Sequence, residues 1–100
     1  MSLVQEVYRV SAGLLDGRQK FQVLGHLVSE VGELAEEVVI DQGLSHKSKG
    51  VDGIVGESID VIICALDMIF QTDPSLTEED LVDYAIKKLD KWRLSVEARS

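Results

Sequence analysis

The sequence predicts an all-α protein whose helices pack as a four-helix bundle. Apolar residues recur through nearly the whole chain at the spacing of amphipathic helices, and no stretch keeps the alternating pattern of a β-strand. Pro74 is the only proline. We therefore expect helices at about 3–15, 18–42, 52–71 and 77–96, with the short connections of an antiparallel bundle.

The boundaries of these helices follow from local start and stop signals. Asp16-Gly17 is a turn signal after the first helix. Gly43 suits the position just past the second helix, where a left-handed conformation is common. The stretch 72–75 contains the proline and interrupts the helical pattern, and Thr77 then has the residue type and place of an N-cap. The polar stretch 44–53 is expected to be a loop.

Length and composition restrict the class of protein. A chain of 100 residues suits a single domain, 1–100. The net charge of −8 argues against a nucleic-acid partner. Cys64 is alone, which favours a reducing cytoplasm over a disulfide framework. The N-terminus lacks a secretory pattern, and the longest apolar run, 61–66, is too short for a bilayer. We expect a cytoplasmic protein with no membrane partner.

Two acidic pairs carry the functional signal. Glu30 and Glu33 lie on the second helix, and Glu57 and Asp60 lie on the third. The i, i+3 spacing places each pair side by side on one helical face. Taken alone, the first pair is better explained as the solvated face of an amphipathic helix.

The third helix changes that interpretation. Its apolar residues cover about two-thirds of the circumference, more than one packing surface needs, so it is packed on more than one side. Its acids then border a partly enclosed space, where ionised carboxylates need cations, hydrogen-bond donors or protons. The simplest arrangement sets the two pairs against each other around one cavity. Asp67, on the same stripe, is interpreted as a polar contact between helices.

The ligand types indicate which cation would suit this cavity. Sets of oxygen ligands select hard divalent ions, Mg²⁺ or Mn²⁺, especially where a phosphate completes the shell. His26 and His46 lack the partners of a zinc site. A di-iron carboxylate bundle needs Glu-x-x-His pairs, which the sequence does not contain.

At these residues the sequence resembles the MazG-like, all-α nucleoside triphosphate pyrophosphohydrolases, relatives of the dimeric dUTPases. The family motif is two adjacent glutamates, two residues, a third glutamate, a variable spacer and then Glu-x-x-Asp. Here the motif appears as Ser29-Glu30-Val31-Gly32-Glu33, then 23 residues, then Glu57-Ser58-Ile59-Asp60. The resemblance covers about residues 18 to 93. Ser29 departs from it, because the family usually has a glutamate there.

The resemblance implies an enzyme that cleaves nucleoside triphosphates between the α- and β-phosphates, releasing a monophosphate and pyrophosphate, as nucleotide-pool housekeeping. It implies Mg²⁺, or Mn²⁺, as cofactor, and a homodimer or homotetramer whose sites form between subunits. The implied metal ligands are Glu30, Glu33, Glu57 and Asp60, with Glu33 or Glu30 as general base. The implied phosphate contacts are Lys88, Lys91 and Arg93, and the implied base contacts are Gln22 and His26.

Other interpretations of the same residues stay open. The cations of the last helix also suit its C-terminal half as partners of the helix dipole. His26 is equally well explained as a surface histidine. The chain as a whole is alternatively a catalytically idle helical oligomer that binds a nucleotide or a protein partner, or a structural oligomer with solvated acids.

Overall fold

The computed structural model describes residues 2–14 and 17–99, and these form four α-helices and no β-strand. The helices are α1 (Leu3–Gly13), α2 (Lys20–Asp41), α3 (Gly53–Thr72) and α4 (Glu78–Arg99). The prediction of an all-α, four-helix chain is confirmed. Over the described ranges, no helix combines the length and apolar character needed to cross a membrane.

The predicted end of the first helix was too late. Leu14 has extended backbone angles, φ −78° and ψ 159°, so α1 ends at Gly13. A glycine at this position favours the change, because glycine is a poor helix former. Leu15, the expected last residue, and Asp16 lie outside the described residues.

The end of α2 is a Schellman motif, as the position of Gly43 predicts. Gly43 has a φ of +73°. Its N–H donates to the carbonyl of Ile40, and the N–H of Leu44 donates to the carbonyl of Val39, both at 3.0 Å. These bonds satisfy carbonyls that the helix end leaves without intrahelical partners.

The start of α4 is a reciprocal cap, which confirms the role predicted for Thr77. The Thr77 hydroxyl accepts from the Asp80 N–H at 3.2 Å, and the Asp80 carboxylate accepts from the Thr77 N–H at 2.8 Å. Before it, the Asp73 carboxylate accepts from the N–H of Ser75 at 3.1 Å, which holds the turn after α3. Local capping therefore sets both ends of this connection.

The packing centres on α3, which lies against α2 along most of its length and against α1 at its C-terminal half. The surface of α2 that packs on α3 is mixed. The buried Val23 and Glu37 lie on it together with Glu30, whose side chain is 15% exposed. Phe21 and Val28, on the opposite side of the helix, are 73% and 61% exposed. Helix α2 therefore places acids as well as apolar side chains against α3, and leaves other apolar side chains outside.

A polar cluster fastens the start of α2 to α3. Arg18 donates to both carboxylate oxygens of Asp67, at 2.8 and 3.1 Å, and the buried Ser11 hydroxyl donates to the same carboxylate. Burial alone would raise the pKa of Asp67, but the hydrogen bonds from Arg18 and Ser11 and the charge of Arg18 hold it below its ordinary value. Asp67 makes the contact between helices that its position predicts.

The single chain buries little apolar surface. Among the described residues, the buried apolar side chains are Val7, Val23 and Cys64. The accessible surface is 7576 Å², whereas a globular monomer of this mass exposes about 5,600 Å². The radius of gyration is 16.2 Å, against about 13 Å for a compact domain of this length.

We expect Gly43→Ala to lower the free energy of unfolding by about 1 kcal/mol, because a Cβ is strained at positive φ. Gly43→Asn is the matched control and should lose less, since asparagine tolerates this conformation. Equal losses in chemical denaturation of the two variants would contradict this role for Gly43.

Candidate metal centre

The four acids of the two predicted pairs lie between α2 and α3 in two overlapping clusters. Carboxylate oxygens of Glu30, Glu33 and Glu57 lie within 4.8 Å of one another, as do those of Asp52, Glu57 and Asp60. Glu57 belongs to both clusters. The arrangement that sets the α2 pair against the α3 pair is the one the structure contains.

Two of these carboxylates are left unsatisfied. Oε2 of Glu30 and Oε2 of Glu57 are buried and accept no hydrogen bond from any described residue. Burial, followed by the charges of Glu33 and Asp60, raises the pKa of Glu30. Burial and the neighbouring Glu33 raise the pKa of Glu57 in the same way. The two Oε2 atoms therefore lack a partner for the charge that each carboxylate carries above its pKa.

A divalent cation fits this donor set. Carboxylate oxygens that converge within a few ångströms are the ligands of hard cations such as Mg²⁺ and Mn²⁺. A cation would be the missing partner of the two orphaned oxygens, and it would offset the burial and the repulsion that raise the pKa of Glu30 and Glu57. Glu33 is exposed, so the cluster opens to the surface on its side.

Asp52 is the member of the clusters that the sequence analysis missed. It precedes Glu57 by five residues, a spacing that does not share a helical face. Asp52 is the N-cap of α3, where its side chain is free to turn back along the helix. A Cβ on Gly56 would collide with the Asp52 side chain. An acid at a helix start, followed four residues later by glycine, is the signal that could have identified it.

His26 and Gln22, the predicted base contacts, have different surroundings. Nε2 of His26 lies 3.2 Å from Oε1 of Glu30, and the imidazole is largely exposed. His26 also lines a cavity of about 380 Å³ between α1 and α3 that Cys64 borders. The side chain of Gln22 accepts from the Gln19 N–H at 2.7 Å and so helps to cap α2. Of the two, His26 is the residue beside the carboxylates.

Of the predicted phosphate contacts on α4, Lys88 lies against a side of α3 that faces away from the carboxylates of its own chain. Lys88 lines a cavity with Leu66 and Ile69 of α3. Those two residues lie about 180° and 120° around the α3 axis from Glu57. Arg93 instead pairs with Glu97 at 3.1 Å.

The loop after α2 is fastened to α2 and supplies no cation to the clusters. Oε1 of the buried Glu37 accepts from the Gly50 N–H at 2.7 Å. Lys47 pairs with Glu36 at 2.7 Å, and Lys49 pairs with Asp41 at 3.1 Å.

Comparisons with protein-family models, with curated proteins and with solved structures found no match. The function is therefore argued from the residues and geometry of the carboxylate clusters.

We expect Glu30→Gln to stabilise the metal-free protein near neutral pH. The raised pKa of Glu30 means that the folded state holds this proton more tightly than the unfolded state. The contribution of this proton to the free energy of unfolding is fully present below the ordinary glutamate pKa of about 4.3. It is lost as the pH rises through the raised pKa that Glu30 has in the folded protein.

Thermal unfolding in chelator should therefore give a higher midpoint for Glu30→Gln than for the parent at neutral pH. The difference should shrink as the pH falls through the raised pKa of Glu30 and should be gone below about 4. Glu36→Gln is the control on the same helix, because Glu36 lies outside the clusters. A lower midpoint for Glu30→Gln at neutral pH would contradict the proposed repulsion.

Proposed function

We propose that the chain is a MazG-like nucleoside triphosphate pyrophosphohydrolase that acts with Mg²⁺ or Mn²⁺. The observation that carries this proposal is the meeting of the two motif pairs, whose carboxylates converge around two buried oxygens that have no hydrogen-bond partner. Glu30, whose side chain is 15% exposed, is held against Glu57 of α3. Enclosing such acids is costly for a purely structural helix, but a carboxylate metal site requires it.

The proposed cation ligands are the four acids of the two motif pairs, joined by Asp52. Glu57 lies in both clusters and is suited to bridge them. When bound there, the cation supplies charge neutralisation for a polyphosphate and Lewis-acid polarisation of its phosphoryl oxygens. A triphosphate, with about four negative charges, would otherwise be repelled by these carboxylates.

Glu33 is our candidate general base. It is the exposed member of its cluster, so its carboxylate oxygen is accessible to a water that enters beside the substrate. The water would attack the α-phosphorus in line with the leaving group and transfer a proton to Glu33, and pyrophosphate would leave. Glu30 is more enclosed and is assigned to holding the cation.

His26 has a proposed role at the edge of the site. Its imidazole lies beside Glu30 and borders the cavity between α1 and α3. An aromatic ring at the mouth of a mostly apolar cavity is suited to contact a nucleobase while the phosphates face the carboxylates.

We expect the protein to release pyrophosphate from at least one member of a panel of NTPs and dNTPs when Mg²⁺ is present. Glu33→Gln should reduce this rate by about 10²- to 10⁴-fold, the usual contribution of a positioned base. Chelation should abolish it.

Glu36→Gln is the matched control, one turn further along α2 and outside the clusters, and should turn over like the parent. An inactive parent across the whole panel, or a Glu33→Gln variant as active as Glu36→Gln, would refute the proposal.

A further inference from the structure

The loop between α2 and α3 joins the two helices that carry the carboxylates. Its last residue is Asp52, which shares a cluster with Glu57 and Asp60. The other acids of the clusters lie within helices, which fix their spacing, whereas Asp52 lies where the loop becomes helix. The position of Asp52 therefore depends on what holds the loop.

The turn into α3 leaves the Asp52 side chain available to the cluster. Gly53 has a φ of +64°, a left-handed conformation that glycine adopts readily. The Asp52 side chain lies beside Gly56, where any Cβ would collide with it. The Asp52 carboxylate makes no capping hydrogen bond to the first turn of α3, so its oxygens are not engaged there.

A buried side chain of α2 holds the loop just before Asp52. Glu37 is only 7% exposed, and its Oε1 accepts from the Gly50 N–H at 2.7 Å. Gly50 precedes Asp52 by two residues. Glu37 and Asp52 also line the same cavity, of about 230 Å³, between the end of α2 and the start of α3.

The ion pairs between the loop and α2 are at the surface. Lys47 pairs with Glu36, and Lys49 pairs with Asp41, through side chains that are 37% to 71% exposed. Exposed ion pairs contribute about 0–1 kcal/mol. The bond from Gly50 to the buried Glu37 is therefore the firmer of these attachments.

Glu37 is explained neither as a cation ligand nor as a solvated acid. It belongs to neither of the carboxylate clusters that the described residues form, and it is nearly as buried as Val23. Enclosing a carboxylate is costly unless its oxygens are hydrogen-bonded. A hydrogen bond from a backbone N–H to a carboxylate is one of the stronger kind, and here it fixes the backbone of Gly50.

We infer that Glu37 is a positioning residue of the metal centre. By holding Gly50, it fixes the end of the loop and thereby the distance of Asp52 from Glu57 and Asp60. The inference rests on the proposed function, since it requires Asp52 to bind the cation. The contact between Glu37 and Gly50 is tested separately, without metal.

The metal-free test is hydrogen exchange of the Gly50 amide in chelator, followed by NMR. The parent should protect this amide, because its N–H is bonded to a buried carboxylate. Glu37→Gln keeps an acceptor oxygen and should keep the protection. Glu37→Met has a similar length but no oxygen, and should lose it. An unprotected Gly50 amide in the parent would overturn the inference and leave the metal site in place.

The metal test measures Mn²⁺ affinity from the EPR signal of the free ion. Glu37→Met should bind Mn²⁺ about 10- to 100-fold more weakly than Glu37→Gln, the usual effect of losing an outer-shell partner of a metal site. Both substitutions are neutral, so the comparison separates the hydrogen bond from the charge of Glu37. Equal affinities of the two variants would overturn the inference. Failure of the parent to bind Mn²⁺ would overturn the proposed function, and the inference with it.

A double-mutant cycle tests whether the effect passes through Asp52. Asp52→Ala should weaken Mn²⁺ binding. Adding Glu37→Met to it should weaken binding little further, because the ligand that Glu37 positions is already lost. Losses that add in full, or parental affinity in Asp52→Ala, would overturn the inference.

Two variants in the loop keep the test independent of changes in α2. Gly50→Ala would place a Cβ 2.5 Å from Oε1 of Glu37, so it should displace the carboxylate and reproduce the Mn²⁺ loss of Glu37→Met. Lys47→Gln is the matched control, because it removes only an exposed ion pair of the same loop, and it should bind Mn²⁺ like the parent. A Lys47→Gln variant as weak as Gly50→Ala would overturn the role of Glu37.

Discussion

Mutual repulsion among the carboxylates between α2 and α3 is the constraint on which the rest of the structure depends. Glu30, Glu33 and Glu57 are held within 4.8 Å of one another, and two of their oxygens are buried without partners. Such a group is stable only if a positive charge joins it or if some members keep their protons. Burial and the neighbouring carboxylates raise the pKa of Glu30 and Glu57, and a bound divalent cation would supply the positive charge.

The position of these acids has consequences for the rest of the chain. Part of the inward surface of α2 is occupied by Glu30 and Glu37, and its apolar residues Phe21 and Val28 lie outside. The single chain then has a small core and an extended outline, with α4 projecting from α3.

Local chemistry explains which features could be predicted from the sequence. Helix ends such as Gly43 and Thr77 are set by a few adjacent residues, so their caps were predicted correctly. The meeting of the two acidic pairs was predicted because the third helix is too apolar to lie on a surface. Asp52 was missed because a side chain at a helix start does not obey helical periodicity. The side of α3 on which α4 lies depends on tertiary packing, and no local pattern indicates it.

The most direct test is a crystal structure of the protein grown with Mn²⁺, examined by anomalous diffraction at a wavelength where manganese scatters strongly. A manganese peak between α2 and α3, bonded to oxygens of Glu30, Glu33, Glu57 and Asp60, is the predicted result. Manganese bound only elsewhere, or carboxylates turned outward to solvent with no peak between the helices, would contradict the proposal that these acids form a metal centre.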